Sequence, residues 1–419
     1  MISASRAPEP IADGAKAHVL GTHRGRAPHE TVARLQPLLA QMGITRLADI
    51  TGLDRIGVPV MMACRPMARS LAISLGKGLD RAAASASALM EAAELYHAEH
   101  IELPLKLGSR RDLAARHELA QVERLAQVSD YYHDDLPLLW VEGRDLVSGR
   151  SRWLPLECVS ADFTAPPGPG AGCFDNSSNG LASGNSLPEA ICHGLCELIE
   201  RDATTLWQAD PQAQAATGLD LASVSDPACR QVIGQVVTAG FDLKVWETTS
   251  DIGVAGFFCQ IIDLCDARGH VGIGAGVHPS RDIALLRAVT EAVQVRATYI
   301  SGARDDLQPR DFAAEVMARR AWQAGRLRDA HRPARDFAAV PDRQAASFHD
   351  DLDWLLARLR AVGLDEVIAV DLSRSELGLA VVRVAVPGLE GPDDHPGYRP
   401  GARAAARAAA RVRTLAEAP

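Results

Sequence analysis

Ser178-Asn179-Gly180-Leu181-Ala182-Ser183-Gly184-Asn185-Ser186-Leu187-Pro188-Glu189-Ala190 leads from a polar, glycine-containing turn into an apolar run. That run continues as Ile191-Cys192-His193-Gly194-Leu195-Cys196-Glu197-Leu198-Ile199-Glu200-Arg201-Asp202. The pattern predicts a helix over about 186–208. At 3.6 residues per turn, Glu189, His193, Glu197 and Glu200 share one stripe, followed directly by Arg201 and Asp202. Their neighbours Ile191, Leu195, Leu198 and Ile199 are apolar, so the stripe is set in sequence suited to a core.

Two more segments repeat the device. A helix expected over 84–100 carries Ser87, Glu91 and Glu94 at spacings of four and three. Another, over 282–302, carries Arg287, Glu291 and Gln294, with Arg296 nearby. Like charges at such spacing repel by a few tenths of a kcal/mol on an exposed helix. Within apolar sequence they need a cation, and hard carboxylate oxygens suit Mg²⁺. The competing reading of any one pair is a solvated face. His193 reads most simply as a packed core histidine, and Cys192 and Cys196 as core thiols, because no further soft ligands accompany them.

The surrounding chain sets the context. Its 419 residues are 47 % hydrophobic and 23 % charged, which excludes disordered, collagen-like and membrane classes. Forty-four basic against fifty-three acidic residues give a formal charge of −9, an argument against a nucleic-acid partner. Eight cysteines without a CxxC pair read as reduced thiols, and neither a secretory signal nor an 18-residue apolar run occurs. A cytoplasmic protein with no membrane segment is expected.

Residues 1–27, polar and rich in Pro, Gly and Ala, read as a mobile lead-in. A helix is expected over Pro28–Met42, with Thr31, Leu35, Leu38, Leu39 and Met42 on its buried face. Strands are expected at Ile56–Val60, Ser70–Ser74, Leu138–Val141, Leu243–Trp246, Phe257–Leu264, 366–371 and 379–386, with a helix at 351–362. The body of the protein is expected over 28–400, with subdivisions near 160–170 and 303–350. Residues 401–419 form an Ala/Arg-rich tail, helical or flexible. Strands and helices mix without strict alternation, which points to an α+β fold. Gly76-Lys77-Gly78 lacks the spacing of a phosphate-binding loop, and Gly272–Gly276 reads as a strand end needing a tight turn. If ATP is used, helix-borne carboxylates and Mg²⁺ must hold it.

These segments resemble the YcaO-like family. Ser178–Asn185 with Glu189-Ala190 and Glu197–Asp202 is similar to its central signature. Ser87–Glu94, just after Gly76-Lys77-Gly78, resembles its first ATP-binding motif, and Arg287–Gln294 its third. The similarity runs over roughly 28–400. It implies a cleft in which Mg²⁺ ions bridge glutamates and ATP phosphates. It also implies peptide-backbone chemistry: a nucleophile adds to an amide carbonyl, ATP phosphorylates the amide oxygen, and phosphate is expelled. By position, Lys77, Ser87, Glu91, Asn185, Glu189, Arg201, Arg287 and Glu291 carry over to the nucleotide, and Glu91, Glu94, Glu197 and Glu200 to the metal. No protein nucleophile is implied. One departure is visible: an arginine often follows the second Glu of the first motif, where Leu95 stands here. Arg201, Arg287 or Arg296 are the candidates to supply that charge.

The stretch from Gly43 to Val60 is similar to members that work beside a TfuA-like partner, which implies thioamide formation from external sulfide. The chain ends Leu415-Ala416-Glu417-Ala418-Pro419, without the Pro-x-Pro-x-Pro tail frequent in azoline-forming members. The expected partners are a peptide substrate and a TfuA-like protein, with a homodimer left open. Cyclodehydration of Cys, Ser or Thr, or a nucleotide-binding accessory role, are the alternatives.

Overall fold

The computed structural model describes residues 14–265, 270–393 and 397–416. From the N-terminus come α1 (Pro28–Leu35), β1 (Arg46–Asp49), β2 (Val60–Cys64), β3 (Ile73–Lys77), α2 (Arg81–Glu99), β4 (Leu105–Gly108) and α3 (Arg110–Ala114). Then follow β5 (Leu138–Asp145), β6 (Ser151–Pro155), β7 (Leu181–Gly184), α4 (Leu187–Gln208), α5 (Pro211–Ala216) and α6 (Pro227–Thr238). Next are β8 (Phe241–Glu247), β9 (Gly256–Asp263), β10 (Gly272–Val277), α7 (Arg281–Ser301) and α8 (Ala314–Ala330). The chain closes with α9 (Phe348–Ala361), β11 (Ile368–Asp371), β12 (Ala380–Ala385) and α10 (Ala402–Ala416). The described strands form antiparallel sheets β1-β2-β3, β10-β9-β8 and β4-β5-β11-β12-β7, with β6 beside β5. The architecture is α+β, as the mixed pattern predicts.

Four early expectations need correction. The first helix stops at Leu35 and tightens into a 3₁₀ turn at Gln36–Leu38, because Pro37 lacks an N–H and its ring clashes with the preceding turn. The strand expected at Ile56–Val60 is β2, which lies at Val60–Cys64, after Pro59. The next is Ile73–Lys77, three residues beyond the expected start, which places Lys77 on the strand opposite Val60. The lead-in expected to be mobile falls partly in residues 1–13, outside the described residues. From Gly14 on it is packed: Ala15 bridges Ser347, and Lys16 Nζ meets buried Asp351 at 2.6 Å.

Glycine sets how closely helices meet strands. A Cβ on Gly76 would lie 2.1 Å from the Ala88 nitrogen of α2, and one on Gly274 would lie 2.2 Å from the Ala288 oxygen of α7. One on Gly184 would lie 2.6 Å from the Ala190 nitrogen of α4. The Gly272–Gly276 run is therefore strand β10 itself, bare of side chains on the face that α7 covers, and not a tight turn. Around these contacts sit three cores: β8, β9 and α6 with α7; α1 and β2 with α2; α4 with α9 and β12.

The C-terminal helix is anchored to the end of α4. Arg403 reaches wholly buried Asp202 through Nε (2.8 Å) and Nη2 (2.9 Å), and the Glu390 N–H donates to the same carboxylate at 3.0 Å. Arg407 pairs with Asp210 at 3.3 Å.

Candidate functional site

Helices α2, α4 and α7 are placed by caps and by the glycine contacts. Asp80 caps α2 by accepting from the Ala83 N–H, Ser186 caps α4 through the Glu189 N–H, and left-handed Gly302 (φ 57°) ends α7. α2 packs on β3 and β7, α4 on β7, β10 and β12, and α7 on β10 and β3. The faces these contacts leave between the helices carry the half-buried side chains of Ser87, Glu91, Glu94, His193, Glu197, Arg201, Arg287 and Glu291. Glu200 lies deeper, 2 % exposed. Lys77 joins them from the end of β3.

The carboxylates are held individually. The Ser183 N–H and hydroxyl donate to Glu94 Oε1 (2.8 and 2.6 Å), and the Leu75 N–H donates to Glu91 Oε1 (3.4 Å). Lys77 Nζ lies 3.6 Å from Glu291 Oε2, and Arg201 Nη1 3.4 Å from Glu200 Oε1. Glu189, at the first turn of α4, is saturated: it accepts from the Gly25 N–H (2.9 Å), the Asn185 N–H (3.1 Å) and Asn185 Nδ2, with Arg24 at 3.5 Å. Asn185 in turn accepts from the Thr31 hydroxyl at 3.2 Å.

Electrostatically the cleft is short of positive charge on one side. Burial pushes Glu91 up to about 7, against the pull of Lys77. It pushes Glu94 up to about 8, with Glu91 and Glu197 adding repulsion, and Glu197 up to about 7. Glu200 is raised by burial against the pull of Arg201. Burial acts on Glu291 too, but Lys77, Arg201 and Arg287 outweigh it and hold that carboxyl below its ordinary value. Glu200 Oε2 is buried without a hydrogen-bond partner. Raised carboxyls and an orphaned buried oxygen are what a site completed by a cation shows without it.

Among the described residues, no three or more His, Cys, Asp or Glu side chains are arranged to hold an ion by themselves. The donor set fits Mg²⁺ with a polyphosphate: hard carboxylates on one side, Lys77, Arg201 and Arg287 on the other.

The structure thus gathers Lys77, Glu91, Glu94, Glu197, Glu200, Arg201, Arg287 and Glu291 into one electrostatic neighbourhood, with Ser87 one turn before Glu91. Asn185 and Glu189 lie at the N-terminal end of α4. Arg296 is not among them. Its Nε donates to Asp54 at 2.8 Å and its guanidinium lies 4.6 Å from the Phe241 ring centroid. Leu95 is buried in the α2 core. Burial, with Arg287 nearby, holds His193 neutral, its pKa well below the ordinary value. Cys192 and Cys196 are buried thiols, the latter pushed up to about 12 by burial.

Sequence reasoning missed several contributors. Arg24, Gly25 and Thr31 reach the start of α4 across more than 150 positions, with no local signal. Arg383 is buried on β12, donates to the carbonyls of Asn179 (2.7 Å) and Ser177 (2.6 Å), and extends its charge to Glu197.

Residues 75–390 match the profile of a family described as YcaO cyclodehydratase, ATP- and Mg²⁺-binding. An uncharacterized protein encoded in the tfuA 3′ region of Rhizobium leguminosarum bv. trifolii is 36 % identical over 375 residues, 88 % of each chain. Among solved structures, a heterocyclase in complex with substrate and cofactor superposes with a TM-score of 0.74 at 25 % identity. That match covers 92 % of this chain, which spans about half (55 %) of the heterocyclase. YcaO from Methanopyrus kandleri, bound with AMPPCP and Mg²⁺, gives 0.72 at 22 % identity, over 90 % of this chain and 95 % of that one. Its cofactors are accordingly ATP and Mg²⁺, and its activity is of the ATP-dependent, cyclodehydratase-like kind. With the family profile matched over residues 75–390, most of the chain, this protein belongs to the YcaO family.

Proposed function

We propose that this chain activates a backbone amide of a ribosomally made peptide and, beside a TfuA-like partner, replaces the amide oxygen with sulfur. The observation that carries the product is the relative in the tfuA 3′ region, similar along 88 % of both chains. The cleft supports the activation step. Glu91, Glu94, Glu197 and Glu200 would hold Mg²⁺; Lys77, Arg201 and Arg287 would face phosphate oxygens; Ser87, Asn185, Glu189 and Glu291 would complete the nucleotide site. Bound Mg·ATP supplies the phosphoryl group that turns an amide oxygen into a leaving group.

The chain's own contribution is positioning and charge. Paired lysine and arginines against a row of carboxylates neutralise negative charge without side-chain reorganisation at the moment of reaction. Cys192, Cys196 and Cys259, which pack behind the site, are held protonated by burial, so none of them offers a ready thiolate. The likeness to the heterocyclase favours a second reading, cyclodehydration of Cys, Ser or Thr.

Intact-peptide mass spectrometry of the reconstituted system separates the two. Oxygen-to-sulfur exchange adds about 16 Da, while cyclodehydration removes about 18 Da, both from atomic composition under ATP-driven amide activation. Only dehydrated peptide in the presence of sulfide and partner would replace the thioamide reading with the azoline one.

A further inference from the structure

Position 95 holds a leucine buried in the core, yet a cation from another element lies within electrostatic reach of Glu91. After α7 ends at Gly302, the chain turns back over the start of β3. There the Asp305 carboxylate accepts from the Ala72 N–H at 3.2 Å. Three residues further along, the Leu75 N–H holds Glu91. The loop thereby lays Arg304, next to Asp305, along the strand that holds Glu91 and ends at Lys77. The Arg304 side chain is one-third exposed; its Nε donates to Asp306 Oδ1 at 2.8 Å and its Nη2 bonds Asp306 Oδ2.

We propose that Arg304 is a phosphate-binding residue of the nucleotide cleft, parked on Asp306 and exchanging that carboxylate for a phosphate oxygen when a polyphosphate enters. The proposal rests on the reading of the cleft as a Mg·ATP site and is independent of which product the enzyme makes. A guanidinium fork fits carboxylate and phosphate oxygens alike, so the exchange preserves its geometry. Asp306 is 42 % exposed, so water accepts the released carboxylate. A polyphosphate carries more negative charge than one carboxylate. No motif marks the residue, because Arg304 lies ten positions beyond Gln294 in a charged loop.

Calorimetric titration with Mg²⁺ and a non-hydrolysable ATP analogue tests this, with AMP as the control lacking the outer phosphates. Arg304→Gln should weaken the analogue ~10-fold or more, leaving AMP affinity and the nucleotide-free melting temperature unchanged. Asp306→Asn should leave analogue affinity unchanged or raise it, since it frees the guanidinium. Analogue affinity within about twofold of the parent in Arg304→Gln overturns the proposal. So does an Asp306→Asn loss as large as that of Arg304→Gln, which would make the pair a support for the loop. A parent chain that binds no analogue would instead overturn the nucleotide reading, and this proposal with it.

Discussion

Arg403→Ala strips a wholly buried carboxylate of its guanidinium. Asp202 would keep the Glu390 N–H (3.0 Å) as its remaining donor among those described above. Breaking a buried pair from one side costs about 3–5 kcal/mol. Protonation caps that cost, because a carboxyl of ordinary pKa near 3.9 takes up a proton at pH 7 for about 4 kcal/mol, and for ~1.4 less per pH unit below. The second partner, Asp251, is 59 % exposed and adds little. The loss should therefore be about 3–4 kcal/mol at pH 7 and about 1.5 at pH 5. The sign follows from the direction of the shift. Burial holds Asp202 above its ordinary value even against Arg403, so stability is lost as pH rises from the unfolded to the folded pKa. Without Arg403 that window widens upward and the deficit grows with pH. Urea unfolding at pH 5, 6 and 7, followed by tryptophan fluorescence, measures it. Adding Asp202→Asn should recover most of the loss at pH 7, since an amide needs no counter-charge. A deficit below ~1 kcal/mol at pH 7, or one equal at pH 5 and pH 7, would refute the reasoning.

Glu197→Ala and Glu200→Ala should each weaken Mg²⁺-dependent nucleotide binding by ~10-fold or more, about 1.4 kcal/mol, in calorimetry; unchanged affinity in both would remove the metal assignment. Glu91, Glu94 and Glu197 are raised to about 7, 8 and 7, so the nucleotide-free protein should lose melting temperature between pH 5 and 8. Saturating Mg·nucleotide should flatten that profile. For the same reason, binding at pH 7 should release about one to two protons, seen as a dependence of the calorimetric heat on the buffer's ionisation enthalpy. Gly76→Ala sets a Cβ 2.1 Å from the Ala88 nitrogen and should cost about 1–3 kcal/mol by driving β3 from α2. Its nucleotide affinity should fall with stability, because Lys77 and Glu91 sit on the separated elements.

The helices that bear the carboxylates were the most legible part of the chain. Runs such as Ala88-Leu89-Met90-Glu91 combine strong helix formers with a period that survives any tertiary arrangement, so α2, α4 and α7 lie within three residues of the expected bounds. Short strands were less so. Val60–Cys64 and Ile73–Lys77 are five residues each; the first lies four residues beyond its expected place, because Gly57 takes a φ of 80° and Ile56-Gly57-Val58 is not strand, and the second lies three beyond. Long-range partners left no trace at all. Nothing near Arg24 or Gly25 foretells Glu189, and Arg296 looked like a site residue until Asp54 claimed it.

The glycine-bearing strands bear on how this sequence can diverge. Where a helix rests on the bare backbone of Gly76, Gly184 or Gly274, no side chain acts as a spacer. Swapping leucine for valine or isoleucine deeper in the cores changes volumes behind the helices but not the separation in front of them. This chain and the Rhizobium relative differ at roughly two positions in three over 375 residues, whereas the carboxylate spacing in this chain is set by backbone touching backbone. Substitution at those glycines is the change that such drift does not tolerate.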